Sequence, residues 1–245
     1  MMHIISQLFC ILVVVFMSSR ASADDIDFQI DMTQSHFERF SQELGTSLSY
    51  KGFGPAEPIG IFGFDVGLEV SAADINEDSD FWQSATEDSD MPGLIPIPKI
   101  YIKKGLPSKM DIGLIYSKVY DSNISIIGAE LKYAIAEGSM TSAAVALRGM
   151  YTSLLGVDQL NLDTYGFDFS ISKWFLNMTP FGGVGAVWIN SKPKSLPAGL
   201  NLDKEDITLV RFFAGTSFRL SVLNITADVE YTKISIFSLK VGILF

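Results

Sequence analysis

The sequence predicts an all-β protein: a closed antiparallel transmembrane β-barrel of about ten strands with a short N-terminal helix. Past residue 58, apolar residues recur with the period of two that strands have, not the 3.6 of helices. The alternating segments are about 9–14 residues long, whereas globular strands average about 5–6 residues and a tilted membrane-crossing strand needs about 9–11. One face of these strands is charged and the other continuously apolar, as expected for a wall between a polar interior and lipid.

The first 23 residues are predicted to be a secretory signal peptide. Residues 4–17 form the only long apolar run, and Ala21-Ser22-Ala23 follows it as a cleavage pattern of small residues. The run is shorter than the roughly 20 residues that a membrane-spanning helix needs. No Lys or Arg precedes it, which is unusual for a signal peptide, and an N-terminal membrane anchor is the alternative.

Without this leader, the chain is acidic and lacks cysteine. Cys10 is the only cysteine and lies within the leader, so no disulfide is expected. The leader also contains Arg20, and its removal leaves 17 of the 18 basic residues against 28 acidic ones, a formal charge of −11. A nucleic-acid-binding protein would carry a basic patch, so nucleic acid is excluded as a partner.

Ten strands are predicted, four from clear alternation and six from weaker patterns. In the clearest case, Leu223 and Ile225 point to one face while Asn224 and Thr226 point to the other. In 179–191, apolar residues occupy both faces, so the inward face is left open. The clear segments are 60–72, 125–136, 161–174 and 223–233, and the others are 98–106, 110–119, 142–155, 179–191, 207–220 and 235–245.

The connections between these strands alternate in length. Four are tight turns, at 107–109, 137–141, 176–178 and 221–222, whereas the acidic stretch 73–97 and the segment 192–206 are long. Bacterial outer-membrane barrels have short periplasmic turns and longer external loops. The sequence therefore predicts that both long segments lie outside the cell.

The barrel is predicted to span 59–245 and to follow an N-terminal segment, 24–58, which lies in the periplasm or docks into the lumen. A helix is predicted over 33–44, because Ser35 with Glu38 matches a capping box and Gly45 stands where a C-cap glycine would. Residues 45–52 are a candidate further strand, so twelve strands are the alternative to ten.

The polar faces of the strands predict a charged lumen. They carry seven acids and seven bases, and this balance favours paired ions over an ion-selective pore. Eight strands leave an interior just filled by side chains, so a barrel of about ten is expected to be largely filled. The predicted lumen charge network is Asp65, Glu69, Lys99, Lys103, Asp111, Glu130, Lys132, Arg148, Asp168, Arg211, Arg219, Asp228, Glu230 and Lys240.

The chain ends in an alternating strand, "SIFSLKVGILF", whose last residue, Phe245, falls on the lipid-facing parity. A sheet in lipid must close on itself, because every backbone N–H and C=O needs a partner there. The last strand is therefore predicted to pair with the first.

The leader, the alternating strands and the terminal "VGILF" resemble Gram-negative outer-membrane β-barrel proteins, whose final strand commonly ends in Phe and is read by the barrel-assembly machinery. More narrowly, "GFDVGLEVSAADI" (63–75), "KGLPSKMDIGLIYS" (104–117), "GVDQLNLDTYGFDFSISKWF" (156–175) and "TPFGGVGAVW" (179–188) are similar to an uncharacterised proteobacterial barrel family. This resemblance implies the barrel fold, the bacterial outer membrane as location and Phe245 as an assembly signal. It implies as partners the lipid and lipopolysaccharide of that membrane and the assembly machinery during insertion.

The strands offer no catalytic set, so we expect no enzyme. His36 is the only histidine after the leader and falls in the predicted helix, and hydrolytic barrels generally need a His as general base. "DINEDSD" (74–80) starts like a calcium loop, but Ser79 and Ala85 stand where Gly and Glu are required. We expect neither a cofactor nor a metal site.

Two functions follow from a barrel of this kind. The first is a structural or surface-interaction protein with a largely filled, charge-balanced lumen. The alternative is a small channel or transporter for small or apolar solutes, gated by the N-terminal segment.

Overall fold

The computed structural model describes residues 26–52, 54–76, 79–85, 93–118, 124–139 and 141–245. Ten antiparallel strands form one closed barrel, in which each strand pairs with its neighbours in the chain and β1 pairs with β10. The prediction of a closed barrel of ten strands is confirmed. The strands are β1 (Phe64–Asp74), β2 (Leu94–Leu106), β3 (Met110–Lys118), β4 (Ser125–Glu137), β5 (Ala144–Leu155), β6 (Leu160–Ser172), β7 (Met178–Pro193), β8 (Glu205–Leu220), β9 (Leu223–Tyr231) and β10 (Ser235–Leu244).

The barrel closes where the chain ends. Val66 pairs with Ile243 and Glu69 with Lys240 in the register of β1 and β10. Beyond the last strand residue, Phe245 donates its N–H to the Phe64 carbonyl at 2.9 Å and accepts from the Phe64 N–H at 2.7 Å. Their rings stack at 5.7 Å between centroids. The terminal Phe is thus held by backbone hydrogen bonds and a ring contact, and the seam has no free edge.

The two mouths of the barrel differ in their connections. The mouth at which the chain ends, called here the Phe245 end, has the connections 107–109, 138–143, 173–177 and 221–222. The opposite mouth, the helix end, has 75–93 and 194–204 as its longest connections. The four predicted tight turns thus share one end and the two long connections share the other, where 156–159 and 232–234 are also short.

Helix α1 (Gln34–Leu48) differs from the predicted helix at both ends. Its N-cap is Thr33, whose hydroxyl accepts from the His36 N–H, so the predicted Ser35–Glu38 capping box is wrong. Gly45 does not end the helix, because a Cβ at this position would come within 2.5 Å of Ile189 and the glycine instead permits close packing on β7. A second, short helix, α2 (Asp80–Gln83), follows β1. Residues 45–48 are helical, which removes the candidate strand over 45–52.

The barrel wall is apolar outside, with exposed side chains such as Ile100, Tyr165, Phe212 and Phe237. Inside, the buried residues form two layers. An apolar layer lies at the helix end, and a charged layer lies between it and the Phe245 end. Neither helix in the described part of the chain is long and apolar enough to cross a membrane.

Candidate functional site

The candidate site is the lumen, which the N-terminal segment occupies from one mouth to the other. Residues 26–33 and α1 lie at the helix end, where α1 contacts β1, β6, β7 and β8. Residues 49–52 and 54–60, called here the lumen segment, then run along the inner wall to the Phe245 end. There, Gly63 accepts a hydrogen bond from the Gly105 N–H of β2 at 3.1 Å, and the chain enters β1.

An apolar cluster seals the helix end. Phe28 packs edge-on against Phe37 and Phe40, with ring centroids 5.5 and 5.7 Å apart, and Phe40 packs on Trp82 at 5.0 Å. All four rings are almost fully buried. The wall contributes inward-facing aliphatic residues to the same cluster, namely Ile97, Ile126, Leu154, Leu160, Leu162, Val187, Ile189, Ile207 and Ile236.

Hydrogen bonds fix α1 against the wall and the outer loops. The Ser41 hydroxyl donates to the Ser191 Oγ of β7 at 2.8 Å, and both serines are fully buried. The Gln34 side chain accepts from the Asp203 N–H at 2.8 Å, and Trp82 Nε1 donates to Glu43 Oε2 at 2.7 Å. Because these contacts involve β7, the loop 194–204 and the loop 75–93, the helix ties three parts of this mouth together.

Below the apolar cluster, six ion pairs lie within the lumen, most of them along its inner wall; we call them the charged belt. Arg211 and Asp168 form a two-bonded pair, with Nε–Oδ1 at 2.9 Å and Nη2–Oδ2 at 2.6 Å. The other pairs have N–O distances between 2.5 and 3.1 Å and join Lys51–Glu230, Lys99–Glu69, Lys103–Glu130, Lys132–Asp111 and Lys240–Asp65. Pairing of this kind offsets the cost of burying ionised groups.

Lys51 is the belt cation that comes from the lumen segment and not from the wall. Its Nζ donates to Glu230 Oε1 at 3.0 Å, to the Thr46 carbonyl at 2.7 Å and to the Ser49 hydroxyl at 2.9 Å. The segment therefore supplies the closest ion-pair partner of Glu230.

The wall holds the rest of the lumen segment by its main chain. Arg211 Nη1 donates to the Tyr50 carbonyl at 2.9 Å, and Arg148 Nη2 donates to the Gly54 carbonyl at 3.3 Å. Lys132 Nζ donates to the carbonyls of Pro55 at 3.2 Å and Glu57 at 2.7 Å.

Two backbone N–H groups of the segment donate to the wall in return. The Ala56 N–H donates to the Ser172 hydroxyl at 2.8 Å, and the Ile59 N–H donates to Asp111 Oδ1 at 3.1 Å. Six main-chain groups of the segment therefore bond to wall side chains.

Twelve of the fourteen predicted network residues are buried in the lumen. Of the other two, Asp228 is half-buried, whereas Arg219 faces the lumen but lies exposed at the Phe245 end. Among the described residues, Arg148, Asp228 and Arg219 have no oppositely charged partner at salt-bridge distance. The ion pairing that the balanced signs suggest therefore does not extend to these three positions.

A cavity of about 690 Å³ opens at the Phe245 end. Its lining includes Arg219, Lys240 and Asn224 from the wall, Pro55 from the lumen segment and Trp174 from the turn after β6. The lumen segment and the charged belt close its inner side, so the cavity is a blind vestibule.

The participation of Lys51 in the network could not be predicted from the sequence, because this residue lies outside the alternating strands. The apolar layer did leave a signal: Val187 and Ile189 face inward in 179–191, and Trp188 faces outward. Apolar residues on both faces of a strand indicate that its inner face meets another apolar element, here α1.

The described residues contain no group of three or more His, Cys, Asp or Glu side chains placed to hold a metal ion. His36 lies in α1, where its N–H bonds to the Thr33 cap. What the lumen residues can do chemically is bind charge and main-chain amides.

No family model matches the chain, so its resemblance to an uncharacterised proteobacterial barrel family stays a prediction. No curated protein matches it in sequence. Similar solved structures include Ail, the attachment invasion locus protein of Yersinia pestis, in complex with the heparin analogue sucrose octasulfate. The two chains are 15% identical, the match covers 75% of this chain and 97% of that chain, and the TM-score is 0.32. Another is the translocator domain of the autotransporter NalP from Neisseria meningitidis, at 9% identity, 86% coverage of this chain, 95% of that chain and a TM-score of 0.41. At these identities and TM-scores the likeness carries no information on function.

Proposed function

We propose that the protein is an integral β-barrel of the bacterial outer membrane, closed by its own N-terminal segment, with a structural or surface-interaction role. The apolar outer wall supports the membrane location, because water-soluble monomers rarely expose large contiguous apolar patches. The closed register supports it too, since a sheet in lipid must have no free edge.

Aromatic residues on the outer wall favour the same location. Tyr116, Tyr151, Tyr165, Trp188 and Tyr231 are exposed toward the helix end. Phe64, Phe218 and Phe245 lie on the outer parity at the opposite end, and the last two are exposed. Two aromatic girdles flanking an apolar band are typical of outer-membrane barrels.

This proposal orients the barrel with the Phe245 end in the periplasm and the helix end outside. The four tight turns then lie in the periplasm and the two long connections face the exterior. The outer surface consists of α1, α2 and the loops around them, and it is the surface available to a partner. Lipid and lipopolysaccharide surround the wall, and the assembly machinery reads Phe245 during insertion.

The filled lumen is the observation that carries the closed, non-conducting role. An apolar cluster blocks the helix end, and below it the lumen segment and six ion pairs occupy the interior. Water-filled channels come with barrels of about 16 strands, and those of about eight are filled by side chains.

A channel or transporter for small or apolar solutes, gated by the N-terminal segment, is the second candidate. The blind vestibule favours it, because displacement of the lumen segment would extend the cavity toward the helix end. In this role the segment is a gate, and in the first it is a permanent plug.

Conductance of the refolded chain in a planar bilayer separates these roles, and heat-modifiable gel migration tests the membrane barrel itself. The proposal predicts a folded form that migrates differently from the boiled form and inserts without a steady open state. A steady conductance of a water-filled pore would support the gated channel, and unmodified migration with no bilayer or detergent requirement would contradict the membrane barrel.

A further inference from the structure

The lumen wall contacts six main-chain groups of the lumen segment in addition to side chains such as Lys51, which pairs with Glu230, and Glu57, which accepts from the Ser172 hydroxyl at 2.7 Å. Of the wall contacts described above, the bonds from Arg211, Arg148 and Lys132 go to carbonyl oxygens, and Ser172 and Asp111 accept from backbone N–H groups. Three of these wall residues are cations, so the bonds to carbonyls are charge-assisted and stronger than neutral ones.

The wall leaves no room for a side chain at Gly52. A Cβ at this position would lie 2.2 Å from Arg148 Nη1 and 2.9 Å from Asp168 Oδ2. Both wall residues are buried, and Asp168 is fixed by its two bonds to Arg211. Any strand bound here therefore needs glycine at this point.

The segment connects to the barrel through an exposed turn. Gly60, Ile61 and Phe62 are all exposed at the Phe245 end, and a Cβ on Gly60 would meet nothing within 4 Å. The covalent link between segment and wall therefore lies outside the packed lumen.

We propose that the inner wall around Arg148, Arg211, Lys132, Ser172 and Asp111 is a binding site for an extended polypeptide strand, of which residues 50–59 are the resident occupant. Its ligand class is an extended peptide with glycine at the position of Gly52, recognised by its carbonyl and N–H groups. This proposal goes beyond the closed barrel proposed above. It can be wrong while the closed barrel is right, because its test does not measure conductance.

The test exchanges the resident strand for others. A protease recognition site is inserted between Gly60 and Ile61, the folded full-length protein is cleaved there, and both pieces are unfolded and refolded together with competing synthetic peptides. Each peptide covers residues 26–60, so that α1 anchors all of them equally. One has the native sequence, and one, the foreign-sequence peptide, has foreign side chains at positions 53 and 59 and keeps the native residues elsewhere. One carries Gly52→Val, and one is N-methylated at Ala56 and Ile59.

Mass spectrometry of the reassembled barrels then gives the share of each peptide. The site predicts that the foreign-sequence peptide is incorporated within about threefold of the native one, because it keeps the main-chain bonds and the Lys51–Glu230 pair. The Gly52→Val and N-methylated peptides should each be incorporated at least about tenfold less, as expected for a lost bond to a charged or buried group. Exclusion of the foreign-sequence peptide overturns the proposal, as does equal incorporation of the N-methylated peptide or failure of the native peptide to reassemble.

Discussion

Lys51 of the lumen segment and Glu230 of β9 form a buried ion pair at 3.0 Å, although 179 positions separate them in the chain. Arg211 Nη1 lies 3.6 Å from the other carboxylate oxygen of Glu230 and donates to the Tyr50 carbonyl. One carboxylate oxygen of Glu230 thus binds Lys51 of the segment, and the other lies near Arg211 of the wall. This relationship makes the N-terminal segment part of the barrel interior and not an appendage.

Replacing Lys51 by Met should weaken the docking of the lumen segment. Glu230 would keep only the longer contact to Arg211, and breaking a buried pair costs about 3–5 kcal/mol. The free energy of unfolding in detergent and the rate of proteolysis within 49–60 measure the effect. Lys204→Met is the matched control, because its pair with Asp206 is exposed to solvent and contributes little to stability. Equal effects of the two substitutions would contradict the role given to Lys51.

Replacing Gly52 by Val should expel the lumen segment from its place on the wall. The new side chain would meet the guanidinium of Arg148 and the carboxylate of Asp168, and one of these buried groups would have to move. Gly149→Ala is the control, since a Cβ there meets nothing within 4 Å. We expect faster proteolysis of the segment in the first variant and no change in the second. A Gly52→Val protein as resistant as the parent would show that this close approach does not occur.

Charge reversal of Arg211 should disrupt the belt. Arg211→Glu would place a third carboxylate beside Asp168 and Glu230 and would remove the donor to the Tyr50 carbonyl. Arg219→Glu, on the same face of the same strand but exposed, should be tolerated. The temperature at which the heat-modifiable band disappears should fall sharply for the first variant alone. If Arg211→Glu folded normally and altered only ion selectivity in a bilayer, the lumen would be an open pore.

Acid should stabilise the contact between α1 and α2. Burial raises the pKa of Glu43, with the bond from Trp82 acting in the opposite direction. A carboxyl group whose pKa is higher in the folded state contributes stability that is complete below its unfolded pKa and is lost as the pH rises through the folded value. Glu43→Gln should remove this dependence and stabilise the contact at neutral pH, and exposed Glu38→Gln on the same helix should not. Urea titrations followed by Trp82 fluorescence, with Trp174→Phe and Trp188→Phe in the background, measure it, and unchanged pH dependence in Glu43→Gln would refute it.

The sequence alone was enough to predict the strands of the barrel wall, but not the contacts made inside the lumen. Alternation such as that of Leu223 and Ile225 against Asn224 and Thr226 sets which side of a strand faces inward, so ten strands and their closure could be predicted. The inward position of twelve charged residues follows from the same period. Which charged residues pair with each other could not be predicted, because pairs such as Arg211–Asp168 depend on the register of the barrel strands and on the reach of the side chains.

The path of the N-terminal segment could not be predicted from the sequence for a different reason. Its contacts to the wall use carbonyl and N–H groups of Tyr50, Gly54 and Ala56, which every sequence has, so no residue pattern reports them. The length of α1 was underestimated because Gly45 usually signals a helix end, whereas here it allows close packing on Ile189.

The docking of α1 inside the barrel is the central claim, and the pair Ser41 and Ser191 tests it most directly. Their hydroxyl oxygens lie 2.8 Å apart, and two sulfurs in a disulfide are about 2.05 Å apart, so cysteines at both positions are placed to bond. Ser41→Cys with Ser191→Cys, in a chain that lacks the leader and its Cys10, should form a disulfide under oxidising refolding. Ser41→Cys with Ser217→Cys, which lies in the lumen toward the Phe245 end, should not. Intact mass after alkylation reads the result: two hydrogens lost and no alkylation is the outcome predicted, and two freely alkylated thiols in the folded Ser41–Ser191 variant would contradict it.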